Sequence, residues 1–171
     1  LTFQKLSAKW KHGKIDFPIS LPNHQETIMT QISDIFVREV LTIDRKATVF
    51  ECIKKMVERN VGAIVVTGGP SICGIFTERD YLRRIALKDR TSKTTRVEEV
   101  MTSRLVCADP SQSAEECMTI MTQQRIRHLP VMEGQQLVGI LSIGDLVKRI
   151  SSDREAQVRY LSDFVSGKYP V

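Results

Sequence analysis

Two aspartates, Asp80 and Asp145, each stand three residues after a hydroxyl, Thr77 or Ser142, and six after a glycine, Gly74 or Gly139. An ionised carboxylate only accepts hydrogen bonds and can take both hydroxyls of a ribose at once. The hydroxyl sits at an expected strand-to-helix junction, where free N–H groups and the helix dipole favour an anion. The glycine removes a side chain where the strand turns, so that a ligand can approach the backbone. The same spacing also makes a capping box, in which hydroxyl and carboxylate each take an orphan N–H. One hydroxyl can serve both purposes, and the repetition of the whole pattern is what favours a ligand.

That repetition extends well beyond the motif. Gly74-Ile75-Phe76-Thr77-Glu78-Arg79-Asp80 recurs 65 residues later as Gly139-Ile140-Leu141-Ser142-Ile143-Gly144-Asp145. At the same offset Asp44 matches Asp109, Glu51 matches Glu116, Cys52 matches Cys117, Met56 matches Met121, and Val66 matches Val131. A fixed-period match across two units is an internal duplication.

The elements follow from local pattern. Ile32, Ile35 and Phe36 fit one face of a short helix, and Val40–Ile43 a short strand. Thr48-x-x-Glu51 is a capping box opening a helix striped by Val49, Cys52, Ile53, Met56 and Val57. A strand over 63–67, a Gly-Gly-Pro turn and a strand over 72–76 come next. A helix from near Thr77 closes the unit, striped by Tyr81, Leu82, Ile85 and Ala86. The second unit repeats the plan. Val97, Val100 and Met101 stand for the first helix, and Leu105–Cys107 for the strand. Ser113-x-x-Glu116 repeats the box; strands over 128–132 and 137–141 and a helix with Leu146, Val147 and Ile150 complete the unit. Ser151–Val165 reads as one more helix, with Val158, Leu161 and Val165 as its apolar side.

The expected organisation is an extended arm (1–30), a first repeat (31–87), a basic linker (88–96), a second repeat (97–150) and a C-terminal helix and tail (151–171). The fold class is α/β (α+β), two tandem β-α-β-β-α units. Each has about 55 residues, too few to bury its own apolar face, so the two pack together about a pseudo-two-fold axis.

Composition narrows the function. The 171 residues are 42% hydrophobic and 26% charged, with a net charge of +5, ordinary for a globular chain. Runs such as Ala63-Ile64-Val65-Val66 are far too short to span a bilayer. Lys5, Lys9, Lys11 and Lys14 make the arm basic, which reads as a solvated tail, and no nucleic-acid partner is expected. Trp10 and Phe17 leave a docking arm open beside a plain tail. Four cysteines show no metal-ligand spacing. No metal is expected, and Cys52 and Cys117 read as small core residues in a reducing compartment. With no nucleophile–base pairing, P-loop or dinucleotide fingerprint, an enzyme is not expected.

The repeat plan, the two Gly-hydrophobic-x-Thr/Ser-x-x-Asp motifs and the run Arg125-Ile126-Arg127-His128-Leu129-Pro130-Val131 make the chain resemble a CBS-domain pair, or Bateman module, over about residues 30–150. Thr77–Arg83 is worded like single-pair proteins of bacteria and plant mitochondria. The resemblance implies a regulatory module that binds an adenine nucleotide (AMP, ADP or ATP) or S-adenosylmethionine and modulates a partner enzyme or complex. It implies ribose contacts for Asp80 and Asp145, ribose or phosphate contacts for Thr77 and Ser142, and phosphate contacts across the two-fold for Arg127 and His128. It also implies a homodimer through the helices flanking the grooves. The alternative is an accessory or scaffold subunit of a larger assembly, docked through its two arms, with nucleotide binding vestigial or structural. A mitochondrial location is expected, with the cytoplasm as alternative; Leu1 fits a removed presequence or a trimmed chain.

Arg127 and His128 align with Gly62 and Ala63, which carry no charge. Unequal grooves are therefore expected, the Asp80 groove receiving the basic pair and preferring phosphorylated ligands. The pair would otherwise be solvated surface residues. Arg79, Arg83 and Arg84 either add positive field or form a solvated helix face.

Overall fold

The computed structural model describes residues 31–165. The arm over 1–30, with Trp10 and Phe17, and the last residues 166–171 lie outside the described residues, as do the side chains of Leu161 and Val165.

The first unit runs β1 (Thr42–Asp44), α1 (Val49–Glu58), β2 (Ala63–Gly68), β3 (Ser71–Thr77) and α2 (Glu78–Arg84). The second runs α3 (Ala114–Gln124), β4 (His128–Glu133), β5 (Gln136–Ser142) and α4 (Ile143–Val165). Strands β1 and β2 are parallel, and β2–β3 and β4–β5 are antiparallel hairpins. Each hairpin turns through a glycine at positive φ, Gly69 at 65° and Gly134 at 59°, the geometry a two-residue turn needs at its first position. Each also shifts register at the same place, after Val66 and after Val131. The duplication is thus kept down to the bulge.

Among the described residues, a capping box starts each of α1 to α4. Thr48–Glu51, Thr77–Asp80 and Ser113–Glu116 each exchange side-chain and backbone bonds, and Ser142–Asp145 does the same.

The two sequence repeats are not the two packing units. Ile32 and Phe36, from the start of the first repeat, are buried with Cys117, Met121, Leu129 and Leu141 of the second. Val97 and Val100, from the start of the second, are buried with Val49, Cys52, Met56 and Phe76 of the first. A third cluster joins Ala63 and Ile75 to Leu105, Cys107 and Met132 between the halves. Each leading segment also pairs with the other half's motif strand. Val37 exchanges both backbone bonds with Ile140, at 2.9 and 3.0 Å, and Thr102 does so with Ile75, at 2.9 and 3.0 Å.

The expected helix at Ile32–Phe36 is a single 3-10 turn, Ile32–Asp34. The expected strand Leu105–Cys107 is reduced to one parallel bridge, Ala108 with Val131. Prolines account for the loss. In the first half Val65 donates to Leu41 and Arg45 donates to Thr67. Their counterparts are Pro130 and Pro110, which have no N–H to give. Val57 and Leu82 do not bury as the stripes suggested; both face outward, 74% and 57% exposed. Finally, the closing helix and the expected separate helix from Ser151 are one, α4, because nothing between Ile150 and Val165 breaks it.

Candidate functional site

The Asp80 carboxylate is fixed from two sides. Its Oδ2 accepts from the Thr77 backbone N–H at 3.1 Å and from the Thr77 hydroxyl at 2.7 Å. Its Oδ1 faces the Thr102 hydroxyl at 3.4 Å and Arg84 Nε at 3.5 Å. The side chain is 13% exposed and lines a groove.

Asp80 stands in a groove of about 490 Å³, within the range of small-molecule sites. Thr77, Glu78, Arg79, Arg83 and Arg84 line it from α2 and its cap, and Thr102 from the crossing segment. Opposite them stand Arg125, Ile126, Arg127 and His128 of the second half. The fold therefore gathers Asp80 and Thr77 with Arg127 and His128, residues far apart in sequence. Gly62 lies against both sides of the groove: a Cβ there would lie 3.3 Å from Glu78 Oε2 and 3.6 Å from His128 Cε1.

Charge in the groove is mixed. Burial holds His128 below its usual 6.5, with Arg127 acting in the same direction and Asp145 and Glu78 opposing. Arg79 is not a free surface cation, since Nη1 donates to the Arg125 carbonyl at 2.8 Å. That carbonyl belongs to the left-handed residue, φ 55°, ending α3. Arg84 donates to the Val100 carbonyl at 2.8 Å and to that of Met101.

Ser142 and Asp145 reproduce the box. Asp145 Oδ2 accepts from the Ser142 N–H at 2.9 Å and its hydroxyl at 2.6 Å. Their surroundings differ, however. Val37 takes the place of Thr102, and Arg149, the counterpart of Arg84, donates to Asp153 at 3.2 Å on its own helix.

Two expectations change. Free N–H groups at the junction are scarce, because those of Thr77 and Asp80 are spent in the box and that of Glu78 on Gly62. The glycines are needed for chain crossing rather than to leave space for a ligand. A Cβ at Gly74 would lie 2.6 Å from Met101 Sδ and 2.9 Å from the Thr102 carbonyl, and one at Gly139 would enter the Phe36 ring. Thr102, Glu78 and Arg125 escaped sequence reasoning. The one signal for Thr102 was the break in self-match, a hydroxyl where the other copy has Val37.

Comparison with known proteins agrees with this architecture. The family described as CBS domain matches residues 32–87 and again 97–152. The CBS domain-containing protein CBSX3, mitochondrial, of Arabidopsis thaliana is 37% identical over 127 residues, covering 71% of this chain and 62% of that protein. The chain thus spans less than two thirds of that relative. The CBS domain-containing protein YhcV of Bacillus subtilis is 34% identical over 128 residues, 75% of this chain and 91% of that one. Among solved structures, a putative signal-transduction protein with CBS domains from Burkholderia ambifaria has a TM-score of 0.71 at 45% identity, covering 72% of this chain and 96% of that one. With two matched repeats, the chain belongs to the CBS-domain family as a CBS-domain pair.

Proposed function

We propose that this chain is a non-catalytic regulatory module that binds an adenosine-based ligand in the Asp80 groove and modulates a partner protein. The observation that carries the reading is the convergence of Asp80 and Thr77 with Arg127 and His128 in one groove. Asp80 would accept from ribose hydroxyls, and Arg127 and His128 would face phosphate, where charge-assisted bonds are strong. With the junction N–H groups largely used, the phosphate depends on these side chains. A CBS domain pair of the same fold, TM-score 0.67 at 20% identity, was solved with methylthioadenosine and S-adenosylmethionine, which fits an adenosyl ligand here. The Asp145 groove, where the repeat counterparts of the basic pair are the uncharged Gly62 and Ala63, would bind phosphorylated ligands less well. Gly74 and Gly139 would serve by holding the crossing strands that shape the two grooves. Exposed Val57, Val61 and Leu82, which line one hollow formed by α1, the loop after it and α2, support a homodimer through that face. The plant relative supports a mitochondrial location.

A second reading, a scaffold subunit docked through its arms, is favoured by α4, whose exposed Arg154, Val158 and Arg159 continue past the second half. Calorimetric titration with AMP, ADP, ATP and S-adenosylmethionine separates the two. Binding lost in Asp80→Ala and in Arg127→Ala/His128→Ala, and kept in Asp145→Ala, supports the sensor. No heat from any of these ligands leaves the scaffold.

A further inference from the structure

Arg84 has the contacts of a residue that shapes the sugar side of the groove. Its guanidinium makes four contacts. Nη1 donates to the Val100 carbonyl at 2.8 Å and to that of Met101, which anchor it. Nη2 donates to the Thr102 hydroxyl at 3.4 Å, and Nε faces Asp80 Oδ1 at 3.5 Å. The Thr102 hydroxyl in turn donates to the same Asp80 oxygen at 3.4 Å. A planar fork tied at one edge to backbone thus holds a carboxylate oxygen and a hydroxyl oxygen side by side. Asp80 Oδ2 accepts two bonds from Thr77 at 3.1 and 2.7 Å, whereas the contacts of Oδ1 are longer, at 3.4 and 3.5 Å. That leaves Oδ1 and Thr102 Oγ1 the more readily approached pair; both residues line the groove.

Two adjacent oxygens, the carboxylate oxygen an acceptor only and the hydroxyl oxygen with its proton already given to Asp80, can each accept from one hydroxyl of a vicinal diol. The Asp145 groove has no such pair among the described residues. Val37 puts methyls where Thr102 has its hydroxyl, and Arg149 turns to Asp153. We propose that Arg84 is a positioning residue that, through Asp80 and Thr102, makes the Asp80 groove selective for an intact ribose over a deoxyribose. This rests on the nucleotide reading above and extends it to the sugar. A site built to pair a hydroxyl discriminates strongly against the analogue that lacks it, because its own polar groups are then left unpaired.

The test is the affinity ratio between AMP and 2′-deoxy-AMP, measured calorimetrically on the full chain. Wild type should prefer AMP by about tenfold or more, the worth of a bond to a charged group. Arg84→Gln and Thr102→Val should bring the ratio to within about threefold of unity, mainly by weakening AMP. Arg84→Lys, which keeps the charge without the fork, should fall between, and Arg149→Gln should behave as wild type. Melting curves identify any variant that has lost its fold; Thr102→Val, which keeps the backbone pairing with Ile75, then decides. A ratio unchanged in both variants, or equal weakening of both nucleotides, overturns the selectivity role and leaves nucleotide binding standing. Absence of binding by wild type to either nucleotide overturns the nucleotide reading, and this inference with it.

Discussion

Thr102 and Ile75 donate to each other's carbonyls, at 2.9 and 3.0 Å, although they belong to different sequence repeats. Val37 and Ile140 do the same on the other side. The glycine before each strand residue is where the crossing chain lies closest. Gly74→Ala should therefore destabilise by about 1–3 kcal/mol through overpacking. Gly139→Ala should cost more, because its Cβ meets the rigid Phe36 ring rather than the flexible Met101 side chain. Urea unfolding of the two variants checks the order.

Phe36 is 7% exposed and packs in the second half's core, though it lies in the first repeat. Phe36→Ala should cost about 3–5 kcal/mol. Hydrogen exchange should show the protection loss concentrated in β4 and β5, with β2 and β3 less affected. Loss centred on β2 and β3 would contradict the exchange of segments.

His128 sets a pH dependence. Its folded value lies below 6.5, so just under pH 6.5 the unfolded chain binds more protons than the folded one. The contribution to stability is present above that value and is lost as pH falls through the folded pKa. A phosphate beside the ring would reverse the shift, so binding should take up a proton and strengthen as pH falls. Titrations near pH 6.5 in buffers of different ionisation heat measure the uptake. Uptake unchanged in His128→Asn would exclude this residue as its source.

Burial pushes the thiols of Cys52, Cys107 and Cys117 up to about 12, while Cys73 is only partly buried. A thiol held neutral is a poor nucleophile. Brief alkylation of the native protein should label Cys73 alone, and all four after denaturation, as read by peptide mass spectrometry. Early labelling of Cys107 would mean that the cluster between the halves opens readily.

What was legible in sequence was local. The boxes at Thr48, Thr77, Ser113 and Ser142 are each read from four adjacent residues, and the hairpins from a glycine between apolar runs. The family resemblance, not the spacing, brought Arg127 and His128 towards Asp80; the 65-residue self-match added only that their counterparts, Gly62 and Ala63, carry no charge. What symmetry could not supply lay where the copies differ. Pro110 and Pro130 remove two strand bonds that Arg45 and Val65 make, and Thr102 adds a hydroxyl where Val37 has none. The burial of Ile32 and Phe36 in the far half was equally hidden, since an apolar residue in sequence does not say which core it enters.

The reciprocal placement of the leading segments also bears on how quickly the native state can be reached. Neither half can complete its apolar centre until residues from the other half have arrived, so local hairpins and helices form ahead of the contacts that secure them. Closing those long loops costs entropy before any burial offsets it, which slows folding relative to two units that finish independently. The same arrangement works in reverse. Local opening of either half strips the other of Phe36 or Val97, so the pair should unfold as one cooperative event, with a single transition seen by every probe.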